Sequence, residues 1–224
     1  MTASSEAGVD RETPVRNAAC LVLIDRSGPE PVLLMGRRLA TQIFLPNKWV
    51  FPGGRVDDAD YAQARAQAAR LSGTFGTNAY DAAHMPFVMA AVRETFEEAG
   101  LAVNVSGTQG APAGLIPLAR AITPPGLPRR FDTWFYIAEW DRNRAATGTP
   151  DGELLDLGWF TLPEIRALDL PLITRLIVDD VAMLAKAPSE SSPAHVPFYY
   201  QAVDEYRRTL INPAAPWPEA GPQP

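Results

Sequence analysis

The chain has 224 residues, 46% hydrophobic and 21% charged, an ordinary globular composition with room for one large domain or two small ones. Twenty Lys and Arg against 26 Asp and Glu give a formal charge of −6, which argues against a general nucleic-acid or anionic-membrane surface but not against a small anion held through a metal. No apolar run reaches a membrane span, no leader-like segment opens the chain, and Cys20 is the sole cysteine beside two histidines, so a disulfide and a structural zinc site are disfavoured and a cytoplasmic protein is expected.

In chain order, residues 1–14 are polar and unpatterned and read as a flexible N-terminus. Apolar, strand-like runs follow at 17–25 and 31–35, with a turn signal at Gly28-Pro29 between them. A short strand at 49–51 ends on Pro52-Gly53-Gly54. Residues 60–71 are Ala-rich and helix-prone, and 86–99 read as a helix that Gly100 stops. Strands are expected at 115–122, 131–140 and 154–160, and helices at 162–168, 172–186 and 198–210. Residues 212–224 form a Pro-rich flexible tail. Strands and helices mix without strict βαβ alternation, which predicts one layered α+β domain over 15–211.

The chemistry is concentrated in Arg93-Glu94-Thr95-Phe96-Glu97-Glu98-Ala99-Gly100-Leu101. At about 100° per residue, Glu94, Glu97 and Glu98 share one sector of the helix, while Val88, Val92, Thr95, Phe96 and Ala99 cluster opposite and are expected in the core. Each like-charge pair at this spacing costs roughly 0.2–0.5 kcal/mol, and the last helical turn prefers cations. Three carboxylates placed there against local stability suggest oxygen ligands for a hard divalent cation, Mg²⁺ or Mn²⁺. Upstream, the paired glycines Gly53 and Gly54 let backbone approach a ligand closely.

Phe51-Pro52-Gly53-Gly54, Asp60 and Arg93-Glu94-x-x-Glu97-Glu98-x-Gly100-Leu101 together resemble the signature box of Nudix hydrolases. The resemblance implies an α/β/α sandwich, a mixed sheet between helices. It also implies metal-dependent hydrolysis of a diphosphate linked to another moiety. Two features depart from the box. Asp60 stands where the family has a glutamate of mainly structural use, and about 25 extra residues, 61–85, interrupt it. A split box of this kind resembles the branch of peroxisomal coenzyme A diphosphatases and their bacterial relatives. Coenzyme A or an acyl-coenzyme A is therefore the expected substrate, with ADP-ribose, NADH and a catalytically silent ligand-binding domain as alternatives. The insertion is expected as a helix plus loop outside the sheet, bordering the cleft.

Roles carried over by resemblance make Glu94, Glu97 and Glu98 metal ligands, with the Gly53 or Gly54 carbonyl completing the shell. Glu94, Glu98, Arg93 and Glu153 are the catalytic candidates; Arg93 orients Glu97, and Glu94 or Glu153 serves as the base. Arg37, Arg38, Arg129, Arg130, Gly53 and Gly54 are expected against the substrate, and Phe131, Trp134 or Tyr136 could stack a base. The expected partners are a small-molecule diphosphate, no nucleic acid and no membrane, with a homodimer left open.

Overall fold

The computed structural model describes residues 13–71, 79–103, 115–184, 193–202 and 205–214. Of the segments expected to be loose, 1–12 and 215–224 lie outside the described residues. The chain runs through β1 (Val15–Asp25), β2 (Val32–Arg38), β3 (Trp49–Val50), β4 (Gly53–Arg55), α1 (Asp58–Leu71) and α2 (Ala79–Ala99). It continues through β5 (Ile116–Ile122), β6 (Arg130–Glu139), β7 (Leu154–Thr161), α3 (Leu162–Ala167), α4 (Leu172–Leu184), β8 (Val196–Ala202) and β9 (Glu205–Ile211).

Among the described residues the strands form one mixed sheet in the order β3-β2-β1-β6-β5-β8-β9, with β4 also on β1 and β7 also on β2. Its centre is the parallel β1–β6 pair, registered from Val15↔Arg130 to Ile24↔Glu139. The β5–β8 pair is also parallel, whereas β1–β2, β2–β7 and β5–β6 are antiparallel. Period-two alternation divides the apolar residues between the two faces. Leu21, Leu23, Trp134 and Tyr136 pack with Phe87, Val88 and Ala91 of α2. Val22, Ile24, Phe135 and Ile137 pack with Ile165 of α3 and Ile177, Val178 and Val181 of α4. The result is the expected sheet between helices.

Two elements depart from the sequence reading. The helix expected at 198–210 is instead the antiparallel hairpin β8–β9, registered from Val196↔Ile211 to Ala202↔Glu205. Phe198, Tyr199 and Tyr200 favour a pleated surface; Phe198 and Tyr200 stack at 4.9 Å, and the edge position lets β9 stay largely polar. The glutamate helix starts at Ala79 rather than 86, with Pro86 inside it. Pro86 removes one helical donor, and the buried side chains of Phe87 and Val88 just after it hold the helix on the sheet. The insertion 61–85 is therefore most of α1 plus the first turns of α2. Its Ala64 packs with Met85 and Met89 in a satellite cluster, and residues 72–78 lie outside the described residues.

Candidate active site

The C-terminal half of α2 is fastened by Arg93. Its guanidinium donates to both oxygens of Asp60, Nε to Oδ1 at 3.1 Å and Nη2 to Oδ2 at 2.9 Å. Nη2 also reaches the Arg55 carbonyl at 3.0 Å, while Nη1 binds Glu94 Oε1 at 2.9 Å and Glu97 Oε2 at 3.0 Å. One arginine thus ties α1, the strand β4 and two glutamates of α2 together. These acidic partners hold it cationic at any accessible pH.

Glu98 is 2% exposed, so the stable helix face and the carboxylate face are not simply opposite. Its Oε2 accepts from the Gly53 backbone N–H at 2.8 Å. Burial pushes its carboxyl up to about 8; the Gly53 bond opposes this and the nearby Glu94 adds to it. Glu94 is likewise raised by burial, with Arg93 pulling the other way. Glycine is required on both sides of this junction. A methyl group on Gly54 would collide with the Glu94 carboxylate, and one on Gly53 with Cys20 and the Ala19 carbonyl. Phe96, expected in the core, is 42% exposed, with its ring over Gly148, where a Cβ would come within 2.7 Å.

The helix end also positions Glu153. Gly100, at φ +70°, closes α2, and its carbonyl accepts from the Thr147 and Gly148 amides at 2.9 and 3.0 Å. Asp151 N–H donates to the Glu97 carbonyl at 2.8 Å, and the Asp151 carboxylate accepts from Glu153 N–H at 2.9 Å. Carbonyls left over at the helix end therefore dock the loop that carries Glu153. Gln42 Nε2 holds Glu153 Oε2 at 3.2 Å.

Glu94, Glu98 and Glu153 line one cavity of about 930 Å³ together with Gly53 and Gly54. Of the expected arginines, Arg38, Arg129 and Arg130 line it. Arg37 does not; it is paired with Asp156 at 2.6 Å. Arg93 and Glu97 are not among the residues that line it. Phe131 reaches the cavity, whereas Trp134 and Tyr136 point to the α2 face and are fully buried. The sequence reading missed Arg16, Cys20, Gln42, Phe44 and Tyr206. Arg16, Ala18 and Cys20 alternate along β1, so a period-two reading extended to the start of that strand finds them. Burial and then the Glu98 carboxylate push the Cys20 thiol up to about 12, so it stays neutral on the cavity floor.

Among the described residues no three His, Cys, Asp or Glu side chains are already closed around a metal position. The donor set nevertheless suits Mg²⁺. That ion is commonly bound by one or two carboxylates, with waters and substrate phosphates filling the shell. Glu98, buried beside a second carboxylate at a glycine-lined wall, is a group that a cation would stabilise.

No family profile matches the chain. A curated Caenorhabditis elegans protein, "Putative nudix hydrolase 7", is 28% identical over 172 residues, covering 64% of this chain and 50% of that protein. The chain thus spans about half the length of this relative. A NUDIX hydrolase from Alicyclobacillus acidocaldarius superposes with a TM-score of 0.57 at 23% identity, over 81% of this chain and 99% of that one. The NUDIX domain of Shewanella oneidensis NrtR, solved with ADP ribose, gives 0.52 at 12% identity, over 78% and 90%. A MutT protein from Methanosarcina mazei gives 0.51 at 15%, over 78% and 97%. The chain has the Nudix fold. The name of the curated relative, together with these structures, supports the Nudix hydrolase superfamily for it. Among the described residues no helix is long and apolar enough to cross a membrane.

Proposed function

We propose that this chain is an enzyme that hydrolyses the diphosphate bond of a nucleoside diphosphate derivative with Mg²⁺ or Mn²⁺, and that its preferred substrate is coenzyme A or an acyl-coenzyme A. The observation that carries the reading is one cavity wall bearing Glu94, Glu98, Glu153 and the Gly53-Gly54 backbone, faced by arginines on the rest of the lining.

Glu98 and Glu94 would hold the metal, and the charge of Glu97 is shared with Arg93. When bound there, a divalent ion would supply charge neutralisation for the diphosphate and a lowered pKa for water. The chain itself supplies the proton acceptor, Glu94 or Glu153, and the guanidinium groups that hold phosphate oxygens. Arg93 keeps Glu94 and Glu97 in place through its anchor on Asp60. A cavity of about 930 Å³ is at the large end of ligand sites, which suits a long dinucleotide-like or pantetheine-bearing substrate. The products from coenzyme A would be 3′-phospho-adenosine monophosphate and phosphopantetheine.

A hydrolysis screen of coenzyme A, ADP-ribose, NADH and nucleoside triphosphates with Mg²⁺ tests the reading, with Glu98→Gln as control. Coenzyme A cleaved with the highest kcat/KM supports it. Preference for ADP-ribose or NADH replaces the substrate and keeps the chemistry. No hydrolysis of any member by folded, Mg²⁺-supplied protein favours a silent ligand-binding domain.

A further inference from the structure

Five arginines line the cavity: Arg16, Arg38, Arg55, Arg129 and Arg130. Three have donors committed inside the protein. Arg38 Nε donates to the Phe44 carbonyl at 3.0 Å, Arg55 Nε to Asp57 at 2.7 Å, and Arg130 Nε to the Thr123 carbonyl at 3.1 Å. Arg16 and Arg129 are exposed, and among the described residues neither has a protein acceptor.

The β1–β6 register sets these two at the same end of the cavity, Arg16 opposite Phe131 and Arg129 two residues before it. The cavity floor is a trough made by alternate residues of the parallel strands β1 and β6, registered as Arg16↔Phe131, Ala18↔Thr133 and Cys20↔Phe135. Small side chains, Ala18 and Thr133, occupy the middle. The Cys20 end lies against Gly53, whose amide holds Glu98. The Arg16 end is four residues away, or about 13 Å along a strand. There Phe131 meets the edge of Phe44 at 5.2 Å, and Arg129 enters just before β6 begins. The trough therefore has carboxylates at one end, and at the other an aromatic ring beside two arginines that have no acceptor among the described residues.

We propose that Arg16 and Arg129 form a second anion subsite, which holds a phosphomonoester that the substrate carries on its nucleoside, apart from the diphosphate. The assignment of the diphosphate to the Glu94–Glu98 end rests on the function proposed above. A dianionic phosphate between two guanidinium groups can take charge-assisted, bidentate hydrogen bonds that a hydroxyl cannot. The gap between the two ends, shortened by the reach of the arginine side chains, is of the order of one nucleoside. The preferred substrate class is thus a nucleoside diphosphate derivative with an additional ribose phosphate. Arg16 joins Arg129 as a residue that sets this preference, while Arg37, paired with Asp156, has no part in it.

The test has a binding arm and a kinetic arm. In the first, thermal shifts give the affinities of adenosine 3′,5′-bisphosphate and 5′-AMP for wild type, Arg16→Ala and Arg129→Ala. The bisphosphate should bind wild type about 10-fold or more tighter, and each substitution should bring that ratio towards one. In the second, the ratio of kcat/KM for coenzyme A over dephospho-coenzyme A should fall in the same variants. Equal affinities in wild type, or substitutions that weaken both ligands alike, overturn the subsite. A bisphosphate preference without hydrolysis of any diphosphate keeps the subsite and rejects the hydrolase reading. Equal turnover of coenzyme A and its dephospho form, with no bisphosphate preference, rejects the subsite and keeps the hydrolase reading.

Discussion

Asp60 and Arg93 form a two-pronged ion pair in which the carboxylate is wholly buried and the guanidinium a quarter exposed. Asp60 Oδ2 also accepts from the Asp57 amide at 2.8 Å, so the pair fixes the start of α1 to the carboxylate helix across the insertion. Asp60→Ala leaves Arg93 without its strongest partner beside three neighbouring carboxylate or carbonyl groups. A loss of about 3 kcal/mol is expected, at the lower end for a broken buried pair because Glu94 and Glu97 still bind Arg93. Urea unfolding measures it, and a change below about 1 kcal/mol would show that the pair does not anchor the helix.

Glu98→Gln keeps the shape and an acceptor for Gly53 N–H but removes the charge. Turnover of the preferred diphosphate should fall by about 100-fold or more. In metal-free buffer the melting temperature should hold or rise, because a carboxyl that burial has pushed up to about 8 is costly to ionise at neutral pH. Near-wild-type turnover would remove Glu98 from the metal-holding set.

Gly54→Ala places a methyl group where the Glu94 carboxylate now sits. That carboxylate is the far end of a flexible side chain, so the fold can absorb the change while the site cannot. Expected is a drop in kcat of about 10-fold or more, with a stability change within about 1 kcal/mol. Equal losses of stability and activity would point to a backbone role instead.

His84 supplies a pH dependence of stability. It is 3% exposed, between Tyr136 Oη at 2.6 Å on Nδ1 and the Pro213 carbonyl at 3.1 Å on Nε2. These partners suit a neutral ring that donates from Nε2 and accepts the tyrosine proton on Nδ1. Burial lowers its pKa to about 4, with the Pro213 bond opposing and Arg120 assisting. From about 6.5 down to 4 the unfolded chain takes up a proton that the folded one refuses. Stability is therefore lost as pH falls through that window, by up to ~3 kcal/mol, and the loss levels off below it. Urea midpoints from pH 7 to 4 for wild type and His84→Gln isolate this contribution; parallel curves would disprove it.

The carboxylate helix, its stop at Gly100 and the central strands were legible because each follows from spacing that a neighbouring element does not overrule. What the spacing could not supply was the environment. A helical wheel groups Glu94, Glu97 and Glu98, but only the Gly53 amide makes Glu98 the buried one and only Arg93 draws Glu97 aside. Phe96 looks like a core residue until the 147–148 backbone is seen docked on Gly100, leaving the ring over Gly148. The β8–β9 hairpin carries aromatics that suit either state, and pairing with β5 at Arg120↔Phe198 decides between them. Arg16 is silent in sequence because its meaning depends on Phe131, a strand partner far along the chain.

That distance also shapes how the protein comes into being. β1 leaves the ribosome more than a hundred residues before the strand that completes its second edge. Until then, Leu21 to Ile24 present an apolar ribbon open along that edge, one of the more association-prone features a growing polypeptide can carry. Joining strands so remote closes a large loop before any contact rewards it, which places folding in the slow, topology-limited regime of milliseconds to seconds. Production of the chain should therefore be more sensitive to chaperone supply and growth temperature than the stability of the finished molecule would suggest.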